Sequence, residues 1–113
     1  MTKIKLCGLT TERDIESANA VVPEYIGFVF ASESRRHVAR EKAAELKKML
    51  DPGIKAVGVF VNEDPQTAAL LLNENVIDLA QLHGNEDEEY IRYLKTLTRK
   101  PLIKAFRIAE VCL

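Results

Sequence analysis

Short apolar runs return along this chain roughly every 22 to 30 residues, and a stretch with helical spacing of apolar residues separates each run from the next. The runs are Lys3–Cys7, Tyr25–Phe30, Ala56–Val61, Asp78–His83 and Leu102–Ile108. Tyr25-Ile26-Gly27-Phe28-Val29-Phe30 has almost no polar alternation, the pattern of a strand covered on both faces. Strands that alternate with helices cross over right-handedly and pair in parallel. The chain therefore reads as α/β, with five strands and four helices.

The intervening stretches carry their own start and stop signals. Thr10 or Thr11 caps a first helix whose opening turn holds Glu12 and Asp14. A second begins near Ala39, keeps Ala39, Ala43, Leu46 and Leu50 on one face, and ends at Asp51-Pro52-Gly53. Asp64-Pro65 supplies the cap and first residue of a third, with Ala68, Leu71 and Leu72 on its apolar side. Glu86 to Glu89 reads as the acidic start of a fourth, with an apolar stripe of Tyr90, Ile91, Leu94 and Leu97 and its end marked by Pro101. Two architectures accommodate this order. A flavodoxin-like five-stranded parallel sheet closes at about this size. A TIM (β/α)8 barrel has eight strands and typically 200 residues or more, so the chain would be its first half and a little more.

Sixteen basic and 17 acidic residues, for a formal net charge of -1, are spread evenly, so no basic stripe offers itself to nucleic acid or to an anionic membrane. The apolar runs fall far short of the roughly 20 residues that span a bilayer, and the N-terminus lacks a signal-peptide core, so a cytoplasmic protein is expected. Cys7 and Cys112 lie at opposite ends without CxxC or Cys/His spacing, which predicts reduced thiols and no metal site.

The reactive vocabulary is concentrated. Cys7-Gly8, Ser34-Arg35-Arg36, Asn62-Glu63 and His83-Gly84 each follow the carboxyl end of an apolar run. In parallel α/β proteins those ends share one rim, where ligands bind. A cysteine ending a buried strand is most often a small inert hydrophobe, but Gly8 permits close approach and the rim position turns the sulfur toward a pocket. An unperturbed thiol is only about 3% ionised at pH 7, and nearby cations raise that fraction. Arg35 and Arg36 read either as a solvated loop preceding a helix or as functional residues at a strand end. His83 is either a hydrogen-bonded structural residue or part of the pocket wall, Asn62 and Glu63 either line the rim or cap the next helix, and His37 has a surface position.

Five motifs occur in order: Lys3-Ile4-Lys5-Leu6-Cys7-Gly8-Leu9-Thr10, Gly27-Phe28-Val29-Phe30 with Ser34-Arg35-Arg36, Val57-Gly58-Val59-Phe60-Val61-Asn62-Glu63, Gln81-Leu82-His83-Gly84 and Ile103-Lys104-Ala105. Together they closely resemble the phosphoribosylanthranilate isomerase family of tryptophan biosynthesis, over essentially the whole chain to about Arg107. The resemblance implies a TIM barrel, with residues 1–113 as one domain forming its N-terminal portion and truncated after strand five. It implies an Amadori rearrangement, without cofactor or metal, of N-(5-phosphoribosyl)anthranilate to 1-(2-carboxyphenylamino)-1-deoxyribulose 5-phosphate. The implied partner is a small phosphosugar substrate. Cys7 is then the general base that takes the C2 proton of the ring-opened imine, and Arg36 holds the anthranilate carboxylate, with Arg35 replaceable beside it. His83 contacts substrate or tunes the site electrostatically.

The family also uses an aspartate on its sixth strand to protonate the opening sugar ring, and glycine-rich segments to hold the phosphate. No G-G-T-G or S-G-G-L segment occurs among these residues. A positioned general acid typically contributes about 10² to 10⁴ in rate, so the isolated chain is expected to be nearly inactive. The alternative function is an inactive fragment, or a self-associating half-barrel whose first and fifth strands are unpaired edges. A receiver-type signalling domain is set aside, because its acidic positions read Cys7-Gly8 and Asn62-Glu63 here.

Overall fold

The structure, a computed structural model, describes residues 4–31, 34–82, 84–103 and 109–112. Its elements run β1 (Ile4–Cys7), α1 (Glu12–Val21), β2 (Tyr25–Val29), α2 (Arg40–Met49), β3 (Lys55–Phe60), α3 (Pro65–Asn73), β4 (Leu79–Leu82), α4 (Glu88–Leu97), β5 (Leu102–Ile103) and β6 (Ala109–Cys112). Local chemistry starts the helices where the sequence places them. Thr11 closes a capping box on α1: its Oγ1 accepts from Asp14 N at 3.1 Å, and the Asp14 carboxylate accepts from Thr11 N at 3.3 Å. Asp64 accepts from Gln66 N at 2.8 Å ahead of Pro65, and Asp87 accepts from Tyr90 N at 2.8 Å to open α4.

Every strand pairs in parallel, in the order β5-β4-β3-β2-β1-β6. That order decides between the two architectures. A flavodoxin-like sheet places its first strand between the second and third, whereas here β2 lies between β1 and β3 and each βα unit adds to the same side. Sequential addition is the winding of a (β/α)8 barrel.

Alternate strand residues face opposite ways. Ile26, Phe28, Phe30, Ala56, Phe60, Ala80 and Leu82 join Ile15, Ala18, Ala43, Leu46, Ala68, Leu71, Leu72 and Leu94 of the helices in one apolar cluster. Phe30 and Phe60 stack within it, with ring centroids 5.3 Å apart. The opposite face carries Lys5, whose Nζ donates to Gln81 Oε1 at 2.6 Å. Three strand spacings separate β1 from β4, about 14 Å in a flat sheet, so this contact requires a curled sheet with Lys5 and Gln81 on its concave side. Lys5 is 1% exposed, a burial that a charged group tolerates only with polar partners.

Of the expected strand Leu102–Ile108, Leu102–Ile103 form β5, and residues 104–108 lie outside the described residues. Two expectations change. Ala109–Cys112, expected as a remnant beyond the last strand, pairs with β1 in the register Ile4↔Ala109 to Cys7↔Cys112. The first strand is therefore not an open edge, and the pairing satisfies backbone groups that an edge leaves bare. Finally, α4 starts at Glu88, which leaves Glu86 in the preceding loop.

Candidate active site

Cys7 is the last residue of β1, and its register partner on β2 is Gly27. The thiol is 5% exposed, less open than the rim position suggested. Its sulfur lies across the Gly27 backbone, where an added Cβ would stand 3.0 Å from Sγ. Beyond Cys7 the chain turns through Gly8 at φ +87°, a left-handed conformation that favours glycine. Gly8 N and Leu9 N both donate to Gly27 O, at 3.0 and 3.3 Å, which ties the turn to β2.

The arginine segment folds back onto this turn. Arg36 N donates to Ser34 Oγ at 3.1 Å, and His37 forms an isolated parallel bridge with Val29. The Arg36 stem crosses Gly8 so closely that a Cβ there would stand 2.5 Å from Cδ and 3.2 Å from Nη1. Arg36 is thus brought to the residue next to Cys7, while Arg35 is exposed. His37 is exposed, as expected, although its backbone extends the rim of β2. His83, the third expected site residue, lies outside the described residues.

The next two rim segments interlock through Glu86, a member of the acidic run that precedes α4. Glu86 is 2% exposed; its Oε2 accepts from Asn62 N and its Oε1 from Gly84 N, both at 2.8 Å. Asn62, at φ 53°, accepts from Asn85 N through its Oδ1 at 2.8 Å. Tyr90 Oη donates to Glu63 O at 2.6 Å. Burial, followed by the negative charges of Glu86, Glu63 and Asp64, pushes the Tyr90 hydroxyl up to about 12. Asn62 and Glu63 are therefore held in a clamp between the loops after β3 and β4, in addition to the cap that Asp64 provides. Glu86 is an acid four residues past the end of β4, a position that becomes meaningful only once the helix is known to begin at Glu88.

Among the described residues, no group of three or more His, Cys, Asp or Glu is arranged to hold a metal ion, and no helix is long and apolar enough to cross a membrane. A sequentially wound parallel sheet, helices outside it, and a thiol and a guanidinium at the carboxyl ends of its strands define the TIM-barrel class of α/β proteins.

Comparison with known proteins narrows the class. A family model described as N-(5'phosphoribosyl)anthranilate (PRA) isomerase matches residues 4–112, and the chain belongs to that family. The N-(5'-phosphoribosyl)anthranilate isomerase of Endomicrobium trichonymphae is 44% identical over 110 residues, 97% of this chain and 54% of that protein. A crystal structure of phosphoribosyl anthranilate isomerase from Thermus thermophilus superposes with a TM-score of 0.81 at 36% identity, covering 93% of this chain and 52% of that one. A further isomerase structure, in complex with reduced 1-(o-carboxyphenylamino)-1-deoxyribulose 5-phosphate, matches with a TM-score of 0.76 at 31% identity, over 87% of this chain and 50% of that one. The chain spans about half the length of the curated relatives it matches.

Proposed function

We propose that this chain supplies the base-bearing, carboxylate-binding half of a phosphoribosylanthranilate isomerase of tryptophan biosynthesis, acting in the cytoplasm on a small phosphosugar. The observation that carries the reading is the meeting of Arg36 with the Cys7-Gly8 turn at the carboxyl end of β1. In the ring-opened substrate, the iminium carbon is an electron sink next to C2. The Cys7 thiolate removes the C2 proton, the electron pair moves toward the iminium nitrogen, and the resulting enolamine tautomerises to the ketone. Cys7 forms no bond to carbon and passes its proton on. Arg36 supplies two parallel N–H donors to the anthranilate carboxylate. His83 contacts the substrate, the role that the resemblance gives it.

The groups that the resemblance assigns to ring opening and phosphate binding are not among these residues, so the test supplies a complementing fragment that carries the remainder of the barrel. The test is fluorescence-detected turnover of phosphoribosylanthranilate by the chain, alone and mixed with that fragment. Turnover on mixing, abolished by Cys7→Ala, is the expected result. Silence in the mixture, with the complementing fragment shown to be folded and bound, overturns the reading and leaves a non-catalytic half-barrel. Self-association through the outer edge of β5 would then be read from the solution mass.

A further inference from the structure

Two of the chain's five glycines meet the proposed functional side chains, each by leaving out a Cβ. Gly27 has no positive φ, so its backbone suits any residue; what it lacks is room. A Cβ there would lie 3.0 Å from Cys7 Sγ and 3.4 Å from Cys7 Cα and Cβ, tighter at the sulfur than an ordinary contact. A Cβ at Gly8 would fall 2.5 Å from Arg36 Cδ and 3.2 Å from Nη1, in addition to the strain of φ +87°. The two backbones cannot drift apart to make space, because Gly27 O accepts from both Gly8 N and Leu9 N. We propose that Gly27 and Gly8 are positioning residues: the bare Cα of Gly27 seats the Cys7 sulfur, and that of Gly8 seats the Arg36 stem. The two seats divide the work, since one places the proton acceptor and the other places the carboxylate anchor. The assignment to proton transfer and anchoring rests on the isomerase reading; the seats themselves do not.

Paired double-mutant cycles on the chain separate the two claims. In urea, Gly27→Ala lowers the unfolding midpoint by about 0.5 to 1 M in the parent, and by less than about half that once Cys7→Ala has removed the sulfur. Gly8→Ala keeps its backbone strain in either background but loses the extra penalty when Arg36→Ala removes the stem. In the complemented assay, Gly27→Ala lowers kcat about tenfold or more with KM within about twofold, because a misplaced base slows the chemical step. Gly8→Ala raises KM about tenfold with a smaller change in kcat. A purely structural role moves neither ratio selectively. Equal midpoint losses in both backgrounds of each cycle overturn the seats, as does a kcat and KM pattern that is the same for both variants. If Gly8→Ala does not fold, the Gly27→Ala cycle decides alone. Positive cycles with a silent unsubstituted mixture retain the seats and remove the isomerase reading.

Discussion

Replacing Glu86 by glutamine keeps the shape of the side chain and removes one acceptor. The carboxylate serves two backbone donors, Asn62 N and Gly84 N, from a site that is 2% exposed. An amide has one oxygen, so one N–H retains a partner while the other faces an NH2 group. The retained bond loses its charge assistance, and the lost one was worth about 1.5 to 3 kcal/mol. Both contacts are only part-buried, so water reaches the freed N–H and the loss is chiefly that of the two charge-assisted bonds. The net destabilisation is then about 2 to 4 kcal/mol, a large share of the roughly 5 to 15 kcal/mol that holds a domain together. With a urea slope near 2 kcal/mol/M, the Glu86→Gln midpoint should fall by about 1 to 2 M. Urea unfolding followed by far-UV circular dichroism gives that midpoint, and amide exchange should show lost protection at Asn62 or Gly84, with distant β2 amides changed only by the global loss. A midpoint within about 0.3 M of the parent, with both amides as protected as before, would refute the clamp.

Three further outcomes follow from the same structure. Arg36→Ala should weaken substrate binding about 10- to 100-fold in the complemented assay, the equivalent of one charge-assisted hydrogen bond, and an unchanged KM would remove Arg36 from the site. A spectrophotometric titration should show Tyr90 ionising near 12, and ionisation at the ordinary tyrosine value of about 10 would remove the burial and charge effects assigned to it. Its hydroxyl is protonated more tightly in the folded state, so its contribution to stability is complete below about pH 10 and declines as pH rises toward 12, an effect that Tyr90→Phe should abolish. Gln81→Leu removes the oxygen that meets the Lys5 ammonium at 2.6 Å and should cost about 2 to 3 kcal/mol in urea unfolding, whereas a loss below about 0.5 kcal/mol would show the contact to be dispensable.

The parts of this fold that were legible in the sequence are those fixed by neighbours along the chain. Thr11 with Asp14, and Asp64 with Pro65, mark helix starts within a single turn, and the Tyr25–Phe30 run marks a strand covered on both faces. Cys7 and Arg36 were singled out by position at strand ends, and the structure brings them to adjacent ground through Gly8. Contacts across long separations were not legible. Lys5 and Gln81 are 76 residues apart, and a lysine within a strand gives no local sign of a partner on the far side of a curled sheet. Nor does an acidic run say which of its members is buried. Glu86 is, because the helix begins two residues later and its carboxylate meets two loops, while Glu88 and Glu89 face water. Ala109–Cys112 is too short for periodicity, so its pairing with β1 depended on which edge was open.

The Lys5–Gln81 contact also orders events in time. From β1 to β5 each strand pairs with the one made before it, so these parallel ladders can assemble while the chain lengthens from its N-terminus. Lys5, by contrast, is made three βα units before its Gln81 oxygen. The part of the cost of burying its ammonium that this oxygen offsets is recovered only once β4 is in place. The contact that spans the concave face therefore cannot close before β4 has joined, and it braces a curve that already exists.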